Sequence, residues 1–233
     1  MARKAYEPGQ VITWSPSRVN TFKKCSRMFH EEANLRTVPF VQSEPQLYGD
    51  RVHKMLDKRI KGEAELPIEE KHLEPLVLSL LNAPGRTMAE QKMTINAKFE
   101  PTGWFSDDAW CRIIVDVMKI NGPHGFMGDW KTGKPNFDQY QLKLNAAIGF
   151  IFYPSLEQIT TAYIWLKTKT LDPEVYHRSN YNRMWQELLQ EPARMQECSN
   201  RNHWPERPGK HCGWCGVNKQ QRCTSASEKY KGA

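Results

Sequence analysis

No stretch of this 233-residue sequence stays apolar over a length that would cross a bilayer. Residues Met1 to Glu7 include Arg3 and Lys4 and form no apolar segment of the kind that begins a secretion signal. These absences predict a cytoplasmic protein with no membrane partner. No internal repeat and no long low-complexity linker interrupts the chain, and no Gly-x4-Gly-Lys-Ser/Thr loop marks a nucleotide-driven motor. Acidic residues are outnumbered 26 to 33 by Lys and Arg, a net charge of +7 that favours a polyanionic partner such as nucleic acid. A hydrophobic share of 39% is enough for one sizeable core.

Hydrophobic spacing predicts helices, then strands. Ser15 and Pro16 open a helix carrying Val19, Phe22, Ser26 and Phe29. A second helix is predicted over Gly49 to Lys61, and a third from Glu74 with Leu76, Val77, Leu80 and Leu81. Met93 to Phe99 alternates as a half-buried strand, Trp110 to Ile120 reads as a central strand, and Phe126 to Thr132 as a third. A helix over Gln139 to Phe152, a strand over Ile159 to Lys167 and a helix over Asn180 to Gln190 follow. After Pro192 the pattern fades into a basic, Cys-rich tail. This order predicts a single domain of α/β (α+β) class over residues 1–233. Its helical part is placed at 15–82, its core at about 86–170 and its tail at 198–225.

The chemistry centres on Asp116 and on Asp129-Trp130-Lys131, thirteen residues later. Asp116 interrupts the apolar run Arg112 to Met118, where a carboxylate is costly unless something binds it. On a strand, Asp129 and Lys131 point to one face. Two carboxylates beside an ammonium make an oxygen-donor site for Mg²⁺ or Mn²⁺, suited to hydrolysing a phosphodiester. The Trp130 carbonyl and His53 are candidate further ligands, Glu90 an additional one, and Gln141 a candidate assisting residue.

Ser15-Pro16-Ser17-Arg18-Val19-Asn20-Thr21-Phe22-Lys23-Lys24-Cys25, Gly49-Asp50-Arg51-Val52-His53, Glu90, Val115-Asp116, Gly128-Asp129-Trp130-Lys131-Thr132-Gly133-Lys134 and Gln141 follow one another in a familiar order. In these segments the chain resembles the PD-(D/E)xK nuclease superfamily, in its RecB-like and Cas4-like exonuclease branch. The resemblance implies a central mixed β-sheet flanked by helices with a restriction-endonuclease-like core. It implies His53, Asp116 and Asp129 as metal ligands, Lys131 as catalytic lysine and Gln141 as its assistant. Asn145 stands where the family often has Tyr.

Cys212, Cys215 and Cys223 lie in the last 22 residues, a spacing that points to metal in a reducing compartment. Three thiolates leave a tetrahedral site one ligand short, and Cys25 is the natural fourth, with His211 and Cys198 as alternatives. A similar split set in Cas4-like nucleases implies a [4Fe–4S] cluster; structural Zn²⁺ is the alternative. Cys111 reads as core.

Arg18 and Lys134 are candidate DNA contacts. Lys23, Lys24, Arg27, Arg201, Arg207, Lys210 and Lys219 are potential further cations, and Trp104, Trp130 and Trp214 could stack on unpaired bases. The combined expectation is a metal-dependent exonuclease acting on single-stranded DNA or free ends in recombination, replication or repair, beside proteins of those processes. A small stand-alone member of this kind suits a bacteriophage, in the host cytoplasm. Alternatives are a non-catalytic nucleic-acid-binding module with a metal-stapled tail, and a structure-specific endonuclease on the same fold.

Overall fold

In chain order the helices and strands are α1 (Pro16–Lys24), α2 (Ser26–Phe29), α3 (Glu44–Lys61), α4 (Glu74–Asn82), β1 (Arg86–Ile95), β2 (Cys111–Asn121), β3 (His124–Lys131), α5 (Gln139–Phe152), β4 (Gln158–Trp165), β5 (Thr170–His177), α6 (Tyr181–Leu188), α7 (Gln190–Asn200) and α8 (Gly216–Lys219). The structure is a computed structural model and describes residues 6–39, 41–134 and 138–226. The chain groups into two compact units, Gln42–Leu188 and Met1–Val41 with Leu189–Ala233. The division falls within the helical part expected at 15–82, and it puts the Cys-rich tail in one unit with Cys25.

The larger unit is built on a five-stranded mixed sheet in the order β1-β2-β3-β4-β5. Strands β1, β2 and β3 form an antiparallel meander; β4 joins β3 in parallel, and β5 returns antiparallel. The parallel step requires a crossover, which α5 supplies. Val52 and Leu56 of α3 and Val77 of α4 pack with Val117, Trp130 and Ile164 on one sheet face. On the other face Leu142 of α5 meets Tyr163 and Trp165. Leu56 is fully buried, so Leu56→Ala costs about 2–5 kcal/mol by leaving a cavity.

Several boundaries differ from the sequence expectation, each for a local reason. Helix α3 begins a turn earlier than Gly49, because Ser43 and Gln46 form a capping box and Pro45 fits the first turn. The first strand runs over Arg86–Ile95, not Met93–Phe99. Asn96 ends it, its side-chain oxygen accepting from the amides of Lys98 and Glu100. Strand β5 was not expected at all. It is an edge strand containing Pro173, with alternating exposure and little apolar content.

In the smaller unit the first helix does not run through to Phe29. Cys25 adopts an extended conformation (φ −159°, ψ 120°) and separates α1 from α2, and a π-helical segment follows at His30–Leu35. Past Pro192, where the pattern faded, α7 forms with Pro192 in its first turns and Met195 fully buried.

His30 is buried, stacked on Trp204 (4.6 Å between ring centres, 11°), with Nδ1 3.3 Å from Asn34 Nδ2. Burial, aided by Arg27 and opposed by Glu31, holds its pKa down at about 4. Below the ordinary value near 6.5 the unfolded chain therefore takes up a proton that the folded chain refuses. The stability this histidine permits is complete above about pH 6.5 and is lost as pH falls toward 4. The denaturation midpoint should fall over this window, and less steeply in His30→Gln. An identical pH dependence in the variant would show that another group drives it.

Candidate active site

Strands β2 and β3 are paired from Asn121↔His124 to Val117↔Gly128, and the ladder stops there. The next residues of each strand toward the gap are Asp116 and Asp129. With β2 parted from it, the Trp130 amide needs another acceptor. Asp116 provides one, its Oδ2 accepting from Trp130 N at 2.9 Å. The β1–β2 ladder likewise runs Ala89↔Val117 and Gln91↔Val115 without a Glu90–Asp116 pair. The carboxylate that interrupts the apolar run thus sits where the sheet opens.

His53 projects from α3 and places Nδ1 3.3 Å from Asp116 Oδ1. Burial alone would pull its pKa down. The hydrogen bond and charge of Asp116, the charge of Asp129 and a hydrogen bond to the Trp130 backbone outweigh that, and the net shift is upward. The imidazole is held toward its charged form by two acids.

Asp129 is 5% exposed. Its Oδ1 accepts a hydrogen bond from Gln141 Nε2. Its Oδ2 lies 2.6 Å from Lys131 Nζ as an ion pair, yet receives no well-aligned hydrogen bond. Gln141 Oε1 in turn lies 3.4 Å from Lys131 Nζ. One glutamine in the first turn of α5 therefore spans both members of the Asp-x-Lys pair. Burial pushes the Asp129 pKa up, and the charge of Asp116 adds to this; Lys131 and His53 work against it. The acid is thus desolvated, with Lys131 as its close counter-charge.

Asp116, Asp129, Lys131, Gln141, His53 and the Trp130 backbone are thus brought into one network. Glu90 is not drawn into it. It lies beside Asp116 on β1 with φ +47°, and its carboxylate is 3.6 Å from Lys92 Nζ. The expected base-stacking role of Trp130 is overturned, because its side chain is 1% exposed in the α3–α4 core. Trp214 is 55% exposed, and Trp104 lies beneath the Arg112 guanidinium. Asn145 is buried, and neither amide atom has a hydrogen-bond partner among the described residues. Lys134 is exposed next to residues 135–137, which are outside the described set.

Several cations expected to meet DNA are already engaged. Arg27 pairs with the fully buried Glu31 at 2.6 Å, Arg201 pairs with Glu197 at 2.8 Å, and Arg18 lies over the Phe29 ring. The sequence reading passed over Arg51, Lys54 and Lys58. Spaced i, i+3, i+7, they form an exposed stripe on α3 with no ion pair among the described residues.

In the smaller unit Cys25, Cys212, Cys215 and Cys223 all line one pocket, together with His211; Cys198 does not. The break at Cys25 lets its Sγ accept from Arg207 N at 3.4 Å, and Cys212 Sγ accepts from Gly209 N at 3.3 Å. Burial pushes the thiols of Cys215 and Cys223 up, opposed by backbone amide hydrogen bonds to each sulfur. Amide donors around four sulfurs suit thiolates. Cys111 is fully buried core, as expected.

Among the described residues, no group of three or more His, Cys, Asp or Glu side chains is arranged as a metal-holding set. Near Asp116 the protein's own donors occupy the carboxylates, through His53, Trp130 N, Gln141 and Lys131. The donor chemistry still fits a hard divalent cation, with two carboxylates, one imidazole and the poorly satisfied Asp129 Oδ2. No described helix is long and apolar enough to cross a membrane.

A family model described as the PD-(D/E)XK nuclease superfamily matches residues 13–122. No curated protein matches the sequence. Among solved structures, a "Putative exonuclease" from Eubacterium rectale is similar to the chain with a TM-score of 0.52 and 16% identity, over 92% of this chain and 90% of that one. The structure of SSO0001 gives a TM-score of 0.49 and 15% identity, over 92% and 87%. The chain is similar to this superfamily over residues 13–122, as far as the strand of Asp116, and it continues into an Asp-x-Lys strand of the kind the superfamily is named for.

Proposed function

We propose that this chain is a divalent-cation-dependent DNA exonuclease of the RecB-like and Cas4-like branch, acting on single strands or free ends. The observation that carries this reading is the junction of Asp116–His53 with Asp129–Lys131–Gln141 at the parting of β2 and β3. Asp116, Asp129, His53 and the Trp130 carbonyl would hold Mg²⁺ or Mn²⁺, which when bound supplies Lewis acidity and a more acidic water. Lys131 keeps a positive charge beside the reacting phosphate and offsets negative charge that builds there. Gln141 holds Asp129 and Lys131 in register, and His53 orients Asp116.

The α3 stripe supports a polyanionic substrate. Arg51, Lys54 and Lys58 border an open pocket of about 320 Å³ with Gln42, Leu47, Asp50 and Met55, on the helix that carries His53. A phosphate backbone following that stripe would meet three cations that form no ion pair among the described residues. The accompanying proposals are a cytoplasmic location and service in DNA recombination, replication or repair.

Linear and circular DNA, end-labelled where ends exist, test the reading directly. The chain should degrade the linear form only, and only with Mg²⁺ or Mn²⁺. Asp129→Ala and Lys131→Ala should each lower the rate by about a hundredfold or more while melting at near wild-type temperature. Cutting of the circle would convert the reading to an endonuclease. Degradation unaffected by both substitutions would remove the mechanism.

We further propose that the four-cysteine pocket holds a [4Fe–4S] cluster. Its four sulfurs, each with an amide donor, support this. Anaerobically purified protein should be brown, carry about four irons per chain and lose them in Cys212→Ser. A colourless protein with one zinc would assign Zn²⁺ instead, and a protein free of both metals would overturn the proposal.

A further inference from the structure

Lys131 has a third neighbour besides Asp129 and Gln141. Its Nζ lies 4.8 Å from the centre of the Tyr163 ring. Tyr163 is on β4, in parallel register with Asp129 of β3. Register partners in a sheet share a face, so the ring stands on the face that carries Asp129 and Lys131. The side chain is 4% exposed and is fixed at both ends. Its ring packs at 5.7 Å against Trp165, and its hydroxyl donates to the Asp138 carbonyl at 2.5 Å. Asp138 is the N-cap of α5, its side chain accepting from Tyr140 N. Gln141 lies three residues on. A single tyrosine therefore touches the ammonium with its ring and the start of the glutamine's helix with its hydroxyl.

We propose that Tyr163 is a positioning residue for Lys131, which rests on the nuclease reading above. A lysine has a flexible four-carbon stem and no fixed fork of donors, so something must aim its charge. A second carboxylate would aim it but would also neutralise it. An aromatic face attracts the ammonium through its quadrupole and carries no net charge, so the lysine's positive charge stays available to a phosphate. Burial of the ring on β4, and the hydroxyl anchor to α5, keep that face in place.

The test compares Tyr163→Phe, which keeps the ring, with Tyr163→Leu and the longer, unbranched Tyr163→Met, which lack it. Single-strand degradation by the full chain is read as kcat and KM separately. The Lys131 ε-methylene NMR resonance, identified by its loss in Lys131→Arg, is read in each protein. Wild type should show this resonance moved upfield by the ring, and Tyr163→Phe should keep the shift. Tyr163→Leu and Tyr163→Met should lose it, with kcat lower by about 2- to 30-fold and KM unchanged, and Tyr163→Phe should restore most of the loss. A purely structural role would lower the melting temperature without this split. The inference is overturned if wild type shows no upfield shift, if folded Tyr163→Leu or Tyr163→Met keeps full kcat, or if Tyr163→Phe falls as far as they do. Should wild type degrade no DNA with any divalent cation, the nuclease reading fails, and the NMR comparison still decides whether the ring holds the lysine.

Discussion

The geometry of the candidate site depends on one break in a hydrogen-bond ladder. Beyond Val117↔Gly128 the strands β2 and β3 no longer pair, and the Trp130 amide turns to the carboxylate of Asp116. Antiparallel strands that stayed paired would satisfy that amide with a main-chain carbonyl and close the space between the two acids. The parting leaves Asp116 and Asp129 at the two lips of one opening. Because β3 stays paired to β4 as far as Lys131↔Trp165, the Asp-x-Lys segment keeps strand geometry, and the side chains of Asp129 and Lys131 share a face.

That opening collects charge from both sides of the sheet. His53 comes from α3, on the face of the Val52 and Leu56 core, and Gln141 comes from α5 on the opposite face. Each brings a donor to an acid that the surroundings have desolvated. Burial raises the Asp129 pKa and the charge of Asp116 adds to the rise, while Lys131 and His53 work against it. Two neighbouring carboxylates are the oxygen donors a hard cation takes.

Much of this was legible in the sequence, and the reasons for the rest are specific. Asp116 was conspicuous because an acid inside an apolar strand is costly, and Asp-x-Lys because period-two spacing puts both groups on one face. Helices α3, α4 and α5 showed their buried stripes. Strand β5 was hidden because an edge strand with Pro173 has neither an apolar run nor an uninterrupted alternation. The break at Cys25 was hidden because Phe22 and Phe29 keep helical spacing across it. Only the tertiary structure turns that cysteine toward Cys212, Cys215 and Cys223. Trp130 was misread as a base-stacking surface because composition does not reveal which face of β3 is covered. Arg51, Lys54 and Lys58 could have been found from their i, i+3, i+7 spacing. They were passed over because cations on a helix are common, and only three dimensions reveal that they form no ion pair among the described residues.

The central claim is that Asp116 and Asp129 jointly hold one hard cation. Calorimetric titration of Mg²⁺ or Mn²⁺ into the substrate-free chain and into Asp116→Asn tests it most directly. The account predicts saturable binding of about one cation per chain in wild type, weakened at least about tenfold in the variant. Wild type that takes up no cation, or an Asp116→Asn chain that binds as tightly as wild type, would contradict it.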